Sequence, residues 1–301
     1  MYETDSGIRH ITRVFERAQY RDRNQLKPLI RDGNTIVIRL QGIDAPELHY
    51  RPQAVKGKKL AGTGLVKDYR QHQAETATAR LGKFLQQHGA AGLPCIFITF
   101  LDDTRGPAEA VDKYGRFVGN IRLKDGTDIN LWLLRSGLAT IGLYNSMTDP
   151  EIRDCLKVHD KGARAKGGVL RYYTAKVSKF DRTLLYRRPT AAFAPAAAKE
   201  TGRFVLPKIF RRQVAWWANK TAGNVTGNLS QFLSIHGAQD FYFNREEFLR
   251  VGRNSATPLK FAEILKNDVI SLAPRDIVFK EAPSAIYRPG VVPKEITVWD
   301  F

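Results

Sequence analysis

The sequence predicts an α+β chain in two parts, a β-rich first part interrupted by helices and an α-rich second part. Three observations carry this. Residues 35–41 alternate in polarity at the strand period, residues 72–88 place apolar side chains at helical spacing, and from Thr201 onward short runs repeat the helical pattern. At 301 residues the chain exceeds the common size of one domain, and its hydrophobic fraction of 43% supports folded cores.

The first strand is the most informative. Ile36, Ile38 and Leu40 fall on one face and Thr35, Val37, Arg39 and Gln41 on the other, which puts Arg39 on the wetter side. The chain then runs through Gly42 into Asp44-Ala45-Pro46-Glu47. Proline fixes φ and bends this segment, so that both carboxylates can address one space, suited to a cation or an activated water. Taken alone, the same residues are better explained by an Asp bonding its own turn and a solvated strand arginine.

The remaining elements follow in order. Residues 8–41 read as β structure, a three-strand meander with a turn at Arg31-Asp32-Gly33-Asn34. After Glu47 comes a basic Gly- and Lys-rich loop or lid. Its Lys56, Lys58, Lys59, Lys67 and Arg70 either hold a phosphate backbone or are simply solvated. Ala74, Ala77, Leu81, Phe84 and Leu85 form the stripe of a helix over 72–88, and 94–100 is a strand. A tight turn at Lys113–Gly115 presents Arg116 at the mouth of a strand over Phe117–Leu123. A helix over Ile129–Ser136 is closed by Gly137, and a second starts at Asp149-Pro150 and runs to about Lys166. Residues 174–200 read as a connector ending in an Ala/Pro-rich stretch, and 201–301 as a mainly α-helical domain that closes with a β-like D-I-V-F-K-E at 276–281 and an extended tail. There Phe210, Val214 and Trp217 share a helical stripe expected in the core, while Arg211 and Arg212 beside Trp216 leave contact with nucleic acid open.

Composition restricts the partner. The formal charge of +18, from 48 basic and 30 acidic residues spread over both parts, favours a polyanion through counterion release. Nucleic acid is the expected partner, and no membrane is. No run approaches the length of a span, and the first twenty residues have no apolar h-region, so a cytoplasmic location is expected. Cys95 and Cys155 occupy apolar positions and are expected as buried thiols without zinc spacing, and the six histidines form no close pair.

The ordered set R-L-Q-G-I-D-A-P-E, helix, strand, D-K-Y-G-R, strand, D-G and N-L-W-L-L-R-S-G-L-A resembles the staphylococcal nuclease (thermonuclease) family over roughly residues 8–173. The resemblance implies a five-stranded OB-fold β-barrel with about three helices over 1–173, and Ca²⁺-dependent hydrolysis of DNA and RNA phosphodiesters. Mg²⁺ or another divalent cation is a possible substitute. It also implies roles. Arg39 and Arg116 would clamp the phosphate, Asp44 would ligate the metal and Glu47 would position or deprotonate the water. Lys113, Tyr114 and Tyr144 would lie around the bound nucleotide. A further metal-binding aspartate of the family falls here on Asn24, with Asp22 beside it as the available carboxylate.

The chemistry explains the residue types. Attack on a phosphodiester builds negative charge, and the planar guanidinium fork stabilises two phosphate oxygens at once, where lysine offers a point charge. The expected function is therefore a metal-dependent endonuclease of low sequence specificity. The alternative is a catalytically silent OB-fold module binding nucleic acid or protein. Residues 201–301 would bind substrate or dock a protein partner.

Overall fold

In the computed structural model the described residues are 35–88, 95–101, 111–112, 114, 116–166, 168–177, 180–186, 200, 202–238 and 240–281, with short strand segments at 2–4, 7–9, 19–20, 30–31 and 286–287. The hairpin expected around 31–34 is represented by the antiparallel pairing of Ile30 with Ile36 and Arg31 with Thr35.

Two sheets position the site. The first has strand β1 (Ile38–Leu40) and, further along the chain, β3 (Ile96–Ile98) and β4 (Phe117–Arg122), with β4 in the middle. β1 runs parallel to β4 with Arg39 opposite Val118, and β3 is antiparallel to β4. The second sheet begins at β2 (Gly42–Asp44), which pairs antiparallel with β5 (Thr140–Tyr144), Asp44 facing Thr140. It continues through β8 (Ile277–Phe279), β6 (Phe241–Asn244) and β7 (Leu259–Lys260). Among the described residues no sheet closes into the expected OB barrel.

Gly42 is the hinge between β1 and β2. Its φ is +77°, and a Cβ there would meet Cys155 Sγ at 2.6 Å, so both the backbone angle and the space require glycine. The expected strand over 35–41 is thus interrupted at Val37 and ends at Leu40, and beyond Gln41 the chain passes into β2 of the other sheet.

The helices sit where their sequence signals place them. Helix α1 (Ala74–Gln87) buries Ala74, Ala77 and Phe84. Helix α2 (Ile129–Arg135) is N-capped by Asp128, and Gly137 follows it with a positive φ of +66°. Helix α3 (Asp149–Gly162) takes Thr148 rather than Asp149 as its cap, because Thr148 and Glu151 form a reciprocal capping box. It ends at Gly162, short of Lys166, since Gly162 lies too close to the Leu134 carbonyl to accept a Cβ.

The C-terminal region departs from the expected separate helical unit. It contributes helices α4 (Pro207–Thr221), α5 (Leu229–His236) and α6 (Arg245–Val251), but also strands that extend the second sheet. β8 lies parallel against β5, with Leu143 opposite Val278 and Tyr144 opposite Phe279. One core cluster joins Val55 and Tyr69 of the first part to Leu206, Ile209, Phe210, Val214, Ile277 and Phe279. Each such fully buried side chain contributes about 1.5–3 kcal/mol, so the two parts share a core. Phe210 and Val214 are in it and Trp217 packs against it, in keeping with the helical stripe.

The connector is also held. Val177 and Leu184 are buried, Thr174 donates to the Phe204 carbonyl, and Tyr69 bridges Leu185. Glu200 accepts from the Glu75 and Thr76 amides at the start of α1, a capping carboxylate supplied from over a hundred residues away. Cys155 is buried as expected, whereas Cys95 is exposed, because it precedes β3 at an end where Ile96 is itself 59% exposed.

Candidate active site

The break at Gly42 delivers Arg39 and Asp44 to a common space from two different sheets. Asn130 at the start of α2 fixes the junction, its Nδ2 donating to the carbonyls of Gln41 at 2.7 Å and Gly119 at 3.1 Å. Arg116 stands immediately before β4, two residues ahead of Val118, the strand partner of Arg39.

Arg116 is held by a local device. Asp112 accepts from the Tyr114 and Arg116 amides and from the Arg116 guanidinium, with Nε to Oδ2 at 2.7 Å and Nη2 to Oδ2 at 2.6 Å. The carboxylate thus folds the 112–116 turn and aims the side chain that follows it. Arg116 remains 39% exposed, and the ring of exposed Tyr114 lies 5.3 Å from its guanidinium. Lys113, in the same turn, lies outside the described residues.

Arg39 is not on a wetter face. Its side chain is 18% exposed, stacked 4.0 Å over the Tyr144 ring and donating to Glu281 at 3.3 Å. Both covers arrive through the second sheet, Tyr144 at the end of β5 and Glu281 just past β8, where its amide donates to Asn145 Oδ1. Tyr144 is therefore no ordinary surface tyrosine. Burial raises its hydroxyl pKa while Arg39 pulls it down.

Asp44 has an inward-facing oxygen, Oδ2, that is buried without a hydrogen-bond partner. Burial pushes its carboxyl up to about 6, opposed by Arg211, assisted by Glu47 and opposed again by Arg39. The Tyr50 hydroxyl is likewise buried and unpartnered, and burial pushes it to about 12 against the pull of Arg212 and Arg211. Buried polar atoms left unpaired are uncommon in folded chains.

Glu47 is fixed at both ends. Its amide donates to Gln71 Oε1 at 2.7 Å and its carbonyl accepts from the Gln71 amide at 2.7 Å, while Gln71 Nε2 donates to the Val205 carbonyl. Its carboxylate accepts from Arg211 of α4 at 2.7 Å. Burial alone would depress Arg211, but Asp44 and Glu47 hold its guanidinium above the ordinary range. Behind it, Lys208 and Arg212 pair with Asp240. Burial would raise Asp240, yet these two cations hold it down to about 2, while burial lowers Lys208 to about 8 against the pull of Asp240.

Sequence reasoning offered Arg211 only as a contact to nucleic acid, not as the partner of Glu47, and missed Glu281, Gln71 and Tyr50. A signal existed for Arg211: helix α4 contains no acidic residue, so its two adjacent arginines must find carboxylates elsewhere. None existed for Glu281, which depends on the pairing of β8 with β5. Of the loop cations, Arg70 does not serve a phosphate. It is buried and paired with Glu75 and Glu200. Lys58, Lys59 and Lys67 are exposed on a loop tied down by Asn219, which accepts from the Val55 amide and donates to the Gln53 carbonyl, and by Asn224, which donates to the Lys59 carbonyl.

A Ca²⁺ site needs about six to eight oxygen ligands, commonly several carboxylates. Among the described residues no three metal-ligating side chains converge. Asp44 offers a free oxygen, but Glu47 is engaged by Arg211, which also faces Asp44. Asp22 and Asn24 lie outside the described residues. The described donor set does not fit a resident divalent cation.

The Arg39 and Arg211 guanidiniums and the Glu47 carboxylate surround Asp44 in a chain of strongly positive charge, and guanidiniums can pair with phosphate oxygens. Residues 37–170 match the family model described as Staphylococcal nuclease homologue. That match supports a nuclease or nucleic-acid-binding role in general. A comparison with curated proteins gives no match. No helix among the described residues is long and apolar enough to cross a membrane.

Proposed function

We propose that the chain is a nuclease that hydrolyses nucleic-acid phosphodiesters. The observation that carries this reading is the gathering of Arg39, Asp44 and Glu47 at the junction of the two sheets, with Arg116 two residues before the strand partner of Arg39. Arg116, the more exposed, meets the phosphate first, and Arg39 receives the charge that develops as the phosphorus becomes five-coordinate. Glu47 accepts a proton from the attacking water as the P–O bond to the leaving group breaks. Exposed Tyr114, beside the Arg116 guanidinium, supplies a face for the nucleotide, while Tyr144 backs the Arg39 guanidinium.

A second reading, a silent module that binds nucleic acid, draws on one specific observation. The Glu47 carboxylate is already ion-paired with Arg211 and must be released before it can act as a base. Incubating the wild type and Glu47→Gln with plasmid, single-stranded DNA and RNA separates the two. Cleavage by the wild type that is lost in the variant supports the nuclease. Binding without cleavage in both supports the module.

A further inference from the structure

We infer that Arg211 is the built-in counter-ion of this site, taking the place that a divalent cation would need between Asp44 and Glu47. The inference concerns the same site as the nuclease reading, but it stands on the described geometry and does not require that the chain cleave anything.

The argument begins with charge. Two carboxylates that approach one another in a partly buried space repel, and one of three things must neutralise them: a proton, a bound cation or a fixed cationic side chain. Here the fixed side chain is present. Arg211 Nη1 lies 2.7 Å from Glu47 Oε2, and Asp44 is its strongest electrostatic partner. Arg39 and Lys208 add positive potential around Asp44. A divalent cation would have to enter a space bordered by three fixed cations and bind a carboxylate already engaged by a guanidinium.

Arg211 is also built into place. It lies between Phe210, which is in the shared core, and Arg212, which is locked to Asp240. Gln71 joins the Glu47 backbone to the Val205 carbonyl just before α4, so the acid and the arginine are positioned by one connected set of hydrogen bonds. With 30% of its side chain exposed, Arg211 can still turn from Glu47 toward an incoming phosphate, to which a guanidinium binds as well as to a carboxylate. An arginine can therefore serve as counter-ion before substrate binds and as a third phosphate ligand after.

The test is direct cation binding, read by calorimetry with Ca²⁺ and by Tb³⁺ luminescence sensitised through the nearby Tyr144, on the full chain. Wild type is expected to bind either ion at least tenfold more weakly than Arg211→Gln, and Arg211→Lys to remain near wild type because the charge is kept. Thermal melts establish that the variants are folded. Tight Ca²⁺ binding by the wild type overturns the inference without reference to any variant. So does a folded Arg211→Gln that gains no affinity. Loss of the nuclease reading, seen as no cleavage of any substrate, leaves this titration and its outcome unaffected.

Discussion

The two arginines of the candidate site are held in opposite ways. Arg116 is paired with Asp112, four residues away in the same turn, and keeps 39% of its side chain exposed. Arg39 is paired with Glu281, 242 residues away, and is stacked on Tyr144 with 18% exposed. The same contrast divides the carboxylates. Asp112 answers to its own turn, whereas Glu47 answers to Arg211 from α4. Half of the site is local to the family region, and half is closed by the C-terminal region. A site closed in this way depends on a sheet and a core that both regions build.

This contrast can be broken at several points. The largest effect is expected from Glu47→Gln, which removes the base. Cleavage should fall about 10²–10⁴-fold, the usual contribution of a positioned acid–base group, in a gel assay under substrate saturation. Arg39→Ala should follow, with a loss of about 10²–10³-fold for an electrostatic donor. Arg116→Ala should raise KM more than Arg39→Ala does, because the exposed arginine meets substrate earlier.

Asp44 gives a pH signature with a definite sign. Its folded pKa of about 6 lies above the ordinary value of 3.8, so the folded state holds the proton more tightly than the unfolded chain. Stability therefore falls as pH rises from about 4 to 6, by up to about 3 kcal/mol, and stays at the lower level above that. Urea unfolding of wild type should show this fall, and Asp44→Asn should flatten it. Asp240 acts in the other direction. Held down to about 2, it contributes stability above pH 4 that is lost as pH falls toward 2.

The smallest effects should come from groups outside the shared site. Neutralising Lys58, Lys59 and Lys67 together should weaken nucleic-acid binding evenly across sequences and reduce its salt slope by about one for each lysine that had met a phosphate. Arg51→Ala should change stability by less than about 1 kcal/mol, since the Arg51–Asp68 pair is largely exposed.

How much of this is legible in the sequence follows from how far apart the partners are along the chain. The 112–116 turn, the capped helices and the acids at 44 and 47 are local patterns, readable from turn residues and periodicity. The pairing of Thr140–Tyr144 with Ile277–Phe279 has no local signature, because strand partners are chosen by the whole fold. The burial of Arg39 is hidden for that reason. Alternation places it opposite Ile38 and Leu40, but cannot show that a distant strand covers the second face. The separate helical unit expected after 200 rests on helical spacing; the β-like stretch at 276–281 marks the strand Ile277–Phe279 but not the sheet that it joins. Arg70 reads as a surface cation because Glu200, its partner, lies 130 residues on.

The measurement that addresses the central claim, a site shared by the two regions, is a double-mutant cycle on Glu47→Gln and Arg211→Gln, read by urea unfolding at pH 7. The pair is partly buried, between the buried and exposed classes, so a coupling of about 1–2 kcal/mol is expected. Additivity within about 0.3–0.5 kcal/mol would show that the two residues do not interact, and would contradict the account.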